Sequence, residues 1–404
     1  KDMVDAELLN DFQSILRFQQ KLLTWYDSHK RQLPWRDVSD PYHVWISEIM
    51  LQQTRVEQMR TYFERFATAF PTINALADAP EDKVLKAWEG LGYYARARNL
   101  HNAAKKVVAE FSGQLPETFE ELLSLPGVGD YTAAAISSIA FNRAHPVLDG
   151  NVTRVLCRLF IVEENPRKTV VRKRLIAVAQ RLMVASRPGD FNQSLMELGA
   201  RVCTPFRPLC SDCPVGKFCL AQRQLEDPAL LPVKVRKKKR PHYDVTAGLI
   251  WKGPYLLIAQ RPAKGMLGGL WEFPGGKREE GESYAECLRR EIKEELDFDI
   301  EVGDHLTSVD HGYSHFTITL HAFEAEYLRG KPQAIGCDDW KWVSPKELDD
   351  FAMPRADRRV IEDELEVLNE KIRTEFLRLD QQQKKAEREL KAEFDTLVRS
   401  MEST

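Results

Sequence analysis

The first half of the chain is organised around the string LPGVG at residues 125–129. It lies between two runs with helical patterning, ETFEELLS at 117–124 and YTAAAISSIAF at 131–141. Gly127 and Gly129 let the backbone turn tightly and approach a phosphate, and free N–H groups at the start of the second helix would meet the anion. The string predicts a hairpin between two helices that contacts a nucleic-acid backbone, with a plain helix–helix turn as the alternative.

Helical patterning extends outward from this hairpin, from about Leu8 to Leu220. Apolar residues recur at three- and four-residue spacing, as at Trp45 and Ile49, and proline or glycine turn signals separate the runs. We therefore expect an all-α domain over residues 8–225.

Composition limits the classes of protein that remain. The 404 residues are enough for two or three domains, and the net charge of −3 does not exclude DNA binding, which depends on how charge is distributed. The chain lacks the apolar run of about 18 residues that a membrane span requires. The acidic first residues contain no apolar leader, so we expect a reducing compartment, the bacterial cytosol or nucleoid. Cysteines there are thiols or metal ligands rather than disulfides.

The sequence character changes after residue 225. Residues 226–241 read as a linker, in which KVRKKKR at 234–240 is either a solvated charge run or a phosphate contact. Residues 242–350 read as an α+β domain. Its predicted elements are strands at 245–251 and 255–261 around a turn at 252–254, a helix at 283–296 and a strand at 316–328. Residues 355–402 read as an amphipathic helical tail.

Four cysteines form a cluster at the end of the helical domain. Cys203, Cys210, Cys213 and Cys219 have the spacing C-x6-C-x2-C-x5-C. Thiolates this close in sequence repel one another unless a metal centre neutralises them, and sulfur ligands select zinc or an iron–sulfur cluster. The spacing alone leaves both open. The other three cysteines, at positions 157, 287 and 337, read as buried small apolar residues.

Two carboxylates stand in distinctive strings. Asp149 lies in LDGNV (148–152), about twenty residues after the hairpin, and Glu48 lies in WISEIMLQQT (45–54). The order of hairpin, Asp and four-cysteine loop resembles the endonuclease III superfamily of glycosylases. The Glu48 string, with LPWR (33–36) and GLGYYARARNLH (90–101), resembles the MutY-type adenine DNA glycosylases. The resemblance covers about residues 8 to 345.

The resemblance implies a mechanism and a cofactor. The four cysteines would hold a 4Fe–4S cluster that is not the catalyst. Glu48 would protonate the departing adenine, and Asp149 would stabilise the cationic sugar or attack it transiently as a nucleophile, since the reaction needs two carboxyls in different protonation states. Tyr131 and Asn151 would position them. Members that cut the strand carry a lysine where this chain has Tyr131, so we expect a monofunctional enzyme.

The resemblance also implies how DNA is held. The partner would be a duplex containing adenine opposite 8-oxoguanine or guanine, bound by a monomer, and the adenine must leave the stack. Gln53, Tyr93 and Leu33 would wedge into the duplex. The adenine side would be lined by Trp35, Arg31, Arg36 and Gln193. A protein that binds DNA without chemistry is the alternative, and the presence of both carboxylates argues against it.

The C-terminal domain resembles a Nudix domain. The segment from Gly276 to Glu295 fits the Nudix box, except that Asp297 stands where the pattern has glycine. In a true box Glu291, Glu294 and Glu295 bind a divalent metal such as Mg²⁺. Additional hydrolysis of oxidised nucleoside triphosphates is therefore an alternative to a glutamate-rich helix without metal. The motif that would recognise 8-oxoguanine is Tyr313-Ser314-His315, in which tyrosine replaces the family's phenylalanine.

Overall fold

A computed structural model describes residues 9, 11–36, 40–52, 54, 56–233, 239–364 and 383–385. They fall into two compact units, which we call the first unit (1–87 and 96–238) and the second unit (88–95 and 239–404). The predicted wedge residue Gln53, most of the basic run at 234–240 and most of the predicted helical tail lie outside the described residues.

The described residues up to 233 are helical, as the sequence predicts. In chain order the α-helices are α1 Phe12–His29, α2 Pro41–Leu51, α3 Val56–Ala69, α4 Ile73–Asp78, α5 Glu81–Trp88, α6 Ala95–Phe111, α7 Phe119–Leu123, α8 Asp130–Ile139, α9 Gly150–Leu159, α10 Thr169–Leu182, α11 Pro188–Arg201 and α12 Leu220–Gln224. Short 3₁₀ turns follow at Cys210–Asp212, Gly216–Phe218 and Pro228–Leu230.

Side-chain caps and a buried apolar face explain these helices. Asp11, Asp40 and Thr118 each accept backbone N–H groups at a helix start, which satisfies donors that have no partner within the helix. The apolar faces meet in a core in which the largest side chains, among them Phe18 and Trp45, are essentially inaccessible to water. The helix starts and the core together fix the position of the loops between helices.

The predicted hairpin joins α7 to α8. Gly127 has φ +75°, a left-handed conformation that favours glycine, and a Cβ there would lie 2.7 Å from the Cβ of Asn99. Gly129 is the residue before α8, and a Cβ at that position would meet open space. The backbone is therefore exposed at Gly129, at the start of the second helix.

The second unit contains a six-stranded mixed sheet. Its strands are β1 His242–Lys252, β2 Tyr255–Gln260, β3 Trp271–Glu272, β4 Asp299–Gly312, β5 Thr317–Arg329 and β6 Asp339–Val343. The order is β3-β2-β1-β5-β4, with β6 on the other edge of β2. β1 and β5 are parallel, with Val245 paired to Leu320, whereas β1 and β2 form the predicted antiparallel hairpin.

The two faces of this sheet pack on different elements. Helix α13 (Tyr284–Leu296) covers one face through Leu288 and Ile292, and residues 353–361 cover the other. A capping box between Ser283 and Glu286 begins α13. The helix ends at Asp297, which has φ +52°. The residue that departs from the Nudix pattern therefore adopts the left-handed backbone that the pattern's glycine provides.

The structure confirms the predicted fold class of a helical domain followed by an α+β domain. The strands β3, β4 and β6 were not predicted. In β4 the register shifts between Val302 and His305 and again before Thr307, which interrupts the alternation that marks a strand. Within the described residues, no helix has the length and apolar character that crossing a membrane requires.

Candidate active site

A cavity of about 720 Å³ in the first unit brings the predicted catalytic residues together. We call it the excision cavity. Glu48, Tyr131, Asp149 and Asn151 all line it, although they come from three separate helical segments. Leu33 also lies on the wall of this cavity. So do the residues predicted on the adenine side, which are Arg31, Trp35, Arg36 and Gln193.

Glu48 is a buried acid on α2. The residue is 4% exposed, and its Oε2 accepts a hydrogen bond of 2.8 Å from the hydroxyl of Tyr131. Burial raises the pKa of Glu48 to about 7, because the charged form loses its hydration, and the negative charge of Asp149 adds to the effect. The Tyr131 hydrogen bond opposes this rise. Glu48 therefore keeps a proton near neutral pH and can donate it.

Asp149 is the residue before α9, and its carboxylate caps that helix. Oδ1 accepts the amide of Val152 at 2.6 Å, and Oδ2 accepts Nδ2 of Asn151 at 3.0 Å. Burial raises the pKa of Asp149, whereas these hydrogen bonds and the charge of Arg154 lower it. Burial outweighs these donors, so the pKa of Asp149 lies above its ordinary value, but more groups favour the charged form of Asp149 than that of Glu48.

Tyr131 lies one residue inside α8, immediately after the hairpin. Burial raises the pKa of its hydroxyl well above the ordinary value, and the nearby Glu48 and Asp149 raise it further. Tyr131 is therefore a neutral donor that points at Glu48. The hairpin leads directly into α8, so a shift of α8 would move this donor.

The loop that carries Asp149 is held by a buried amide. Asn192 on α11 is 1% exposed; its Oδ1 accepts the amide of Val147, and its Nδ2 donates to Ser138 and to the carbonyl of His145. These bonds satisfy backbone groups that would otherwise be buried without partners. They fix the start of the LDGNV segment.

Among the charged residues of this cavity that sequence reasoning missed, one is buried. Glu197 on α11 is 1% exposed and accepts Nε of Arg31 at 2.7 Å and a terminal nitrogen of Arg36 at 3.1 Å. Burial acts to raise the pKa of Glu197, but the two arginines outweigh it, so the pKa lies below its ordinary value. The only sequence signal for Glu197 was its helical spacing from Ser194 and Leu198, which are both buried. The residues next to it in the chain form no motif that would have separated it from a surface glutamate.

The four cysteines of the cluster follow α11. Burial raises the pKa of Cys213 to about 12, and the thiols of Cys203, Cys219 and Cys210 raise it as well, so the four sulfurs lie within electrostatic range of one another. The buried Arg158 donates to Sγ of Cys203 at 3.2 Å. Among the residues that the structure describes, no three His, Cys, Asp or Glu side chains are arranged as ligands of one metal ion.

Two of the three Nudix-box glutamates predicted to bind metal are ion-paired with one arginine. Arg290 contacts Glu291 at 3.0 Å and Glu294 at 3.3 Å, and also Glu282 at 2.8 Å. Burial and neighbouring carboxylates, led by Glu272, raise the pKa of Glu295 to about 8. The predicted Mg²⁺ site and the hydrolysis of oxidised nucleoside triphosphates stay predictions.

The predicted recognition motif divides between surface and interior. Ser314 and His315 are exposed, whereas the ring of Tyr313 packs against His311 and Phe316. Tyr93, also assigned to the second unit, places its hydroxyl 2.6 Å from Oγ of Ser314. Two residues predicted to contact DNA thus lie together.

Comparisons with known proteins identify the family. The HhH-GPD superfamily of base excision DNA repair proteins matches residues 46–180, and the NUDIX domain family matches residues 246–363. The adenine DNA glycosylase of Mus musculus is 37% identical over 407 residues, which cover 87% of this chain and 79% of the mouse protein. The chain belongs to the adenine DNA glycosylase family.

Two further relatives show how widely this similarity extends. The adenine DNA glycosylase of Homo sapiens is 36% identical, covering 87% of this chain and 75% of its own length. That of Buchnera aphidicola subsp. Acyrthosiphon pisum is 31% identical, covering 85% and 97%. The predictions of a DNA glycosylase, of base excision repair and of adenine as the base removed are confirmed. These relatives do not support the alternative of a protein that binds DNA without catalysing a reaction.

Proposed function

We propose that this glycosylase hydrolyses the N-glycosidic bond of adenine placed opposite 8-oxoguanine or guanine in duplex DNA, acting as a monomer. The observation that carries the proposal is the pairing of Glu48 and Asp149 in one cavity with different donor sets. The pKa of Glu48, about 7, lets it carry a proton near neutral pH, and two hydrogen bonds to Asp149 favour its charged form against the burial that raises its pKa. Hydrolysis of an N-glycosidic bond requires both states at once.

In the proposed reaction Glu48 transfers its proton to N7 of adenine while the bond from C1′ to the base breaks. The electron pair of that bond leaves with the neutral base, and the sugar becomes an oxocarbenium-like cation that Asp149 stabilises. Water then adds to C1′, and its proton goes to the Glu48 carboxylate, which restores the acid. The products are free adenine and an abasic site.

Tyr131 restricts the enzyme to this hydrolysis. Its hydroxyl donates to Glu48 and cannot form a Schiff base with the abasic sugar. The product strand should therefore remain intact until alkali or heat is applied. Asn151 donates a hydrogen bond to Asp149 and accepts one of 2.8 Å from a terminal nitrogen of Arg154. These contacts support the proposed role of Asn151 in positioning Asp149.

We assign recognition of the base opposite adenine to the second unit, and contact with the DNA backbone to the hairpin glycines. Ser314 and His315 are exposed and able to hydrogen-bond a base edge, and Tyr93 is 44% exposed next to Ser314. Gly129 presents unobstructed backbone for a phosphate. Gln53 and Leu33 are the other two residues predicted to wedge into the duplex.

For the cysteine loop we propose a 4Fe–4S cluster. Four interacting thiols fit such a group, and the N–H that Arg158 donates to Cys203 is the kind of contact that stabilises thiolate charge. The cluster would hold the segment after α11 in place without taking part in bond breaking. We also propose that the protein works in a reducing compartment, the bacterial cytosol or nucleoid, where cysteines remain available as metal ligands.

The substrate assay tests this function. Purified protein is mixed in excess with duplexes carrying adenine opposite 8-oxoguanine, guanine or thymine, and products are read before and after alkali. We expect rapid release opposite 8-oxoguanine, slower release opposite guanine and little opposite thymine, with strand breaks only after alkali. Equal rates on all three duplexes would overturn the proposed substrate, and breaks before alkali would overturn the monofunctional assignment.

A further inference from the structure

A short segment of the second unit, residues 89–94, presents an aromatic ring at the surface. Tyr93 is 44% exposed, and its hydroxyl lies 2.6 Å from Oγ of Ser314. Its backbone has φ +48°, in the left-handed region that a tyrosine seldom adopts, and Gly92 before it has φ +67°. A backbone of this kind persists only where the residues around it hold it. The contacts on either side of Tyr93 therefore decide where its ring lies.

Glu89 provides the first of these contacts. Its Oε1 accepts the amide of Met353 at 3.1 Å and Nε of Arg358 at 2.7 Å. The Glu89 side chain is 19% exposed and that of Arg358 is 10% exposed, so the pair is shielded from most of the solvent. A charge-assisted hydrogen bond in such a place is stronger than one at the surface. Glu89 therefore ties the segment to the chain that follows β6.

Arg358 is itself held by the fold of the second unit. One terminal nitrogen donates to the carbonyl of Leu348 at 3.0 Å and also to the carbonyl of Phe351. The other lies 3.2 Å from Oδ1 of Asp349, whose side chain is 90% exposed, so this ion pair adds little. Because the guanidinium is planar and its far end is fixed on backbone carbonyls, Arg358 presents Nε to Glu89 in one orientation.

Tyr94 provides the contact on the other side of Tyr93. It is 4% exposed, and its hydroxyl donates to the carbonyl of Met353 at 3.3 Å. Glu89 and Tyr94 thus contact the amide and the carbonyl of the same buried residue, Met353. Both ends of the segment that contains Tyr93 are therefore held at one buried point.

We propose that Arg358 is a positioning residue for recognition of the base opposite adenine. It acts through Glu89, which keeps the Tyr93 ring where it can stack on a base of the duplex and keeps the Tyr93 hydroxyl beside Ser314. The inference rests on the proposed function, in which Tyr93 and Ser314 contact DNA. Arg358 lies 269 residues from Glu89 in the chain, so no local string marks it.

The test measures binding without base release. The whole chain is titrated with duplexes in which tetrahydrofuran, a stable analogue of an abasic site, lies opposite 8-oxoguanine or guanine. 2-Aminopurine placed next to the 8-oxoguanine reports insertion of the ring, because its fluorescence rises when it is unstacked from its neighbour. The unaltered protein should raise this fluorescence and should bind the 8-oxoguanine duplex about tenfold or more tightly than the guanine duplex.

Arg358→Gln should weaken binding to the 8-oxoguanine duplex by about fivefold or more, the value of one base–aromatic stack at its lower end. It should also lower the 2-aminopurine signal and the preference for 8-oxoguanine over guanine. Arg358→Lys keeps a cation beside Glu89 and should restore part of both. Arg355→Gln is the matched control, because Arg355 lies in the same segment and pairs with the exposed Glu362. This control should behave as the unaltered protein does.

A second variant keeps the test decisive if Arg358→Gln does not fold, as judged by thermal melting. Glu89→Gln keeps an oxygen for the Met353 amide but removes the charge that Arg358 meets, so it should show the same losses to a smaller degree. A lower melting temperature with unchanged fluorescence and affinity would show a structural role only and would overturn the inference alone. Equal affinity of the unaltered protein for the two duplexes would overturn the proposed reading of 8-oxoguanine, and the inference with it.

Discussion

Both units bury carboxyl groups in a cavity, but they neutralise them differently. In the excision cavity, Glu48 and Asp149 receive neutral donors, a tyrosine hydroxyl for one and a backbone and a side-chain amide for the other. In the second unit, Glu291 and Glu272 are paired with arginines. Burial raises the pKa of all four carboxyls; a paired arginine opposes the rise with a full positive charge, whereas the donors in the excision cavity oppose it without adding charge at the hydrogen bond. The excision cavity therefore has the arrangement that acid catalysis needs.

The largest expected effect is on the rate of adenine release, and it distinguishes the carboxyls of the excision cavity from those of the second unit. Asp149→Asn should lower single-turnover adenine release by about 10²-fold or more, because the cationic sugar loses its counter-charge. Affinity for the duplex should persist. Glu291→Gln, an equivalent change in the Nudix box, should leave adenine release unchanged. Equal losses in both variants would contradict the division of roles between the units.

The next effect concerns how the base opposite adenine is read. Replacing both Ser314 and His315 with alanine should lower the preference for 8-oxoguanine over guanine by about tenfold to hundredfold, the value of lost base-edge hydrogen bonds. Release of adenine itself should survive, because the catalytic carboxyls line the excision cavity. The quantity to measure is the ratio of excision rates on the two mispairs at matched salt. An unchanged ratio would place lesion reading elsewhere.

The smallest expected effect is a gain of covalent trapping between the protein and the abasic product. Tyr131→Lys places an amine where strand-cutting relatives carry one, so some abasic product should become trapped on the protein by borohydride. The expected yield is low, because the change also removes the hydroxyl that contacts Glu48. Tyr131→Phe is the control and should trap nothing. Trapping by the unaltered enzyme at a similar yield would contradict the monofunctional assignment.

The sequence was most informative where chemistry depends on a local string. The hairpin at 125–129 and the helix at 283–296 were each predicted from a few consecutive residues. What it could not supply were contacts between distant segments. Glu197 acquires its role only when α11 brings it to Arg31, 166 residues away in the chain.

The central claim is that burial keeps Glu48 protonated near neutral pH so that it can act as the acid. The most direct measurement is the single-turnover rate of adenine release against pH for the unaltered enzyme, Glu48→Gln and the exposed control Glu64→Gln. The account predicts a rate that falls as pH rises through about 7, because the acid is lost when Glu48 ionises.

Tyr131→Phe sharpens the same measurement. Removing a donor that favours the charged form raises the pKa of Glu48, so the fall in rate should move to higher pH. Glu48→Gln should be slower by about 10²-fold or more and should lack this fall, whereas Glu64→Gln should match the unaltered enzyme. A Glu48→Gln variant with near-normal rate, and with the same fall above pH 7, would contradict the account.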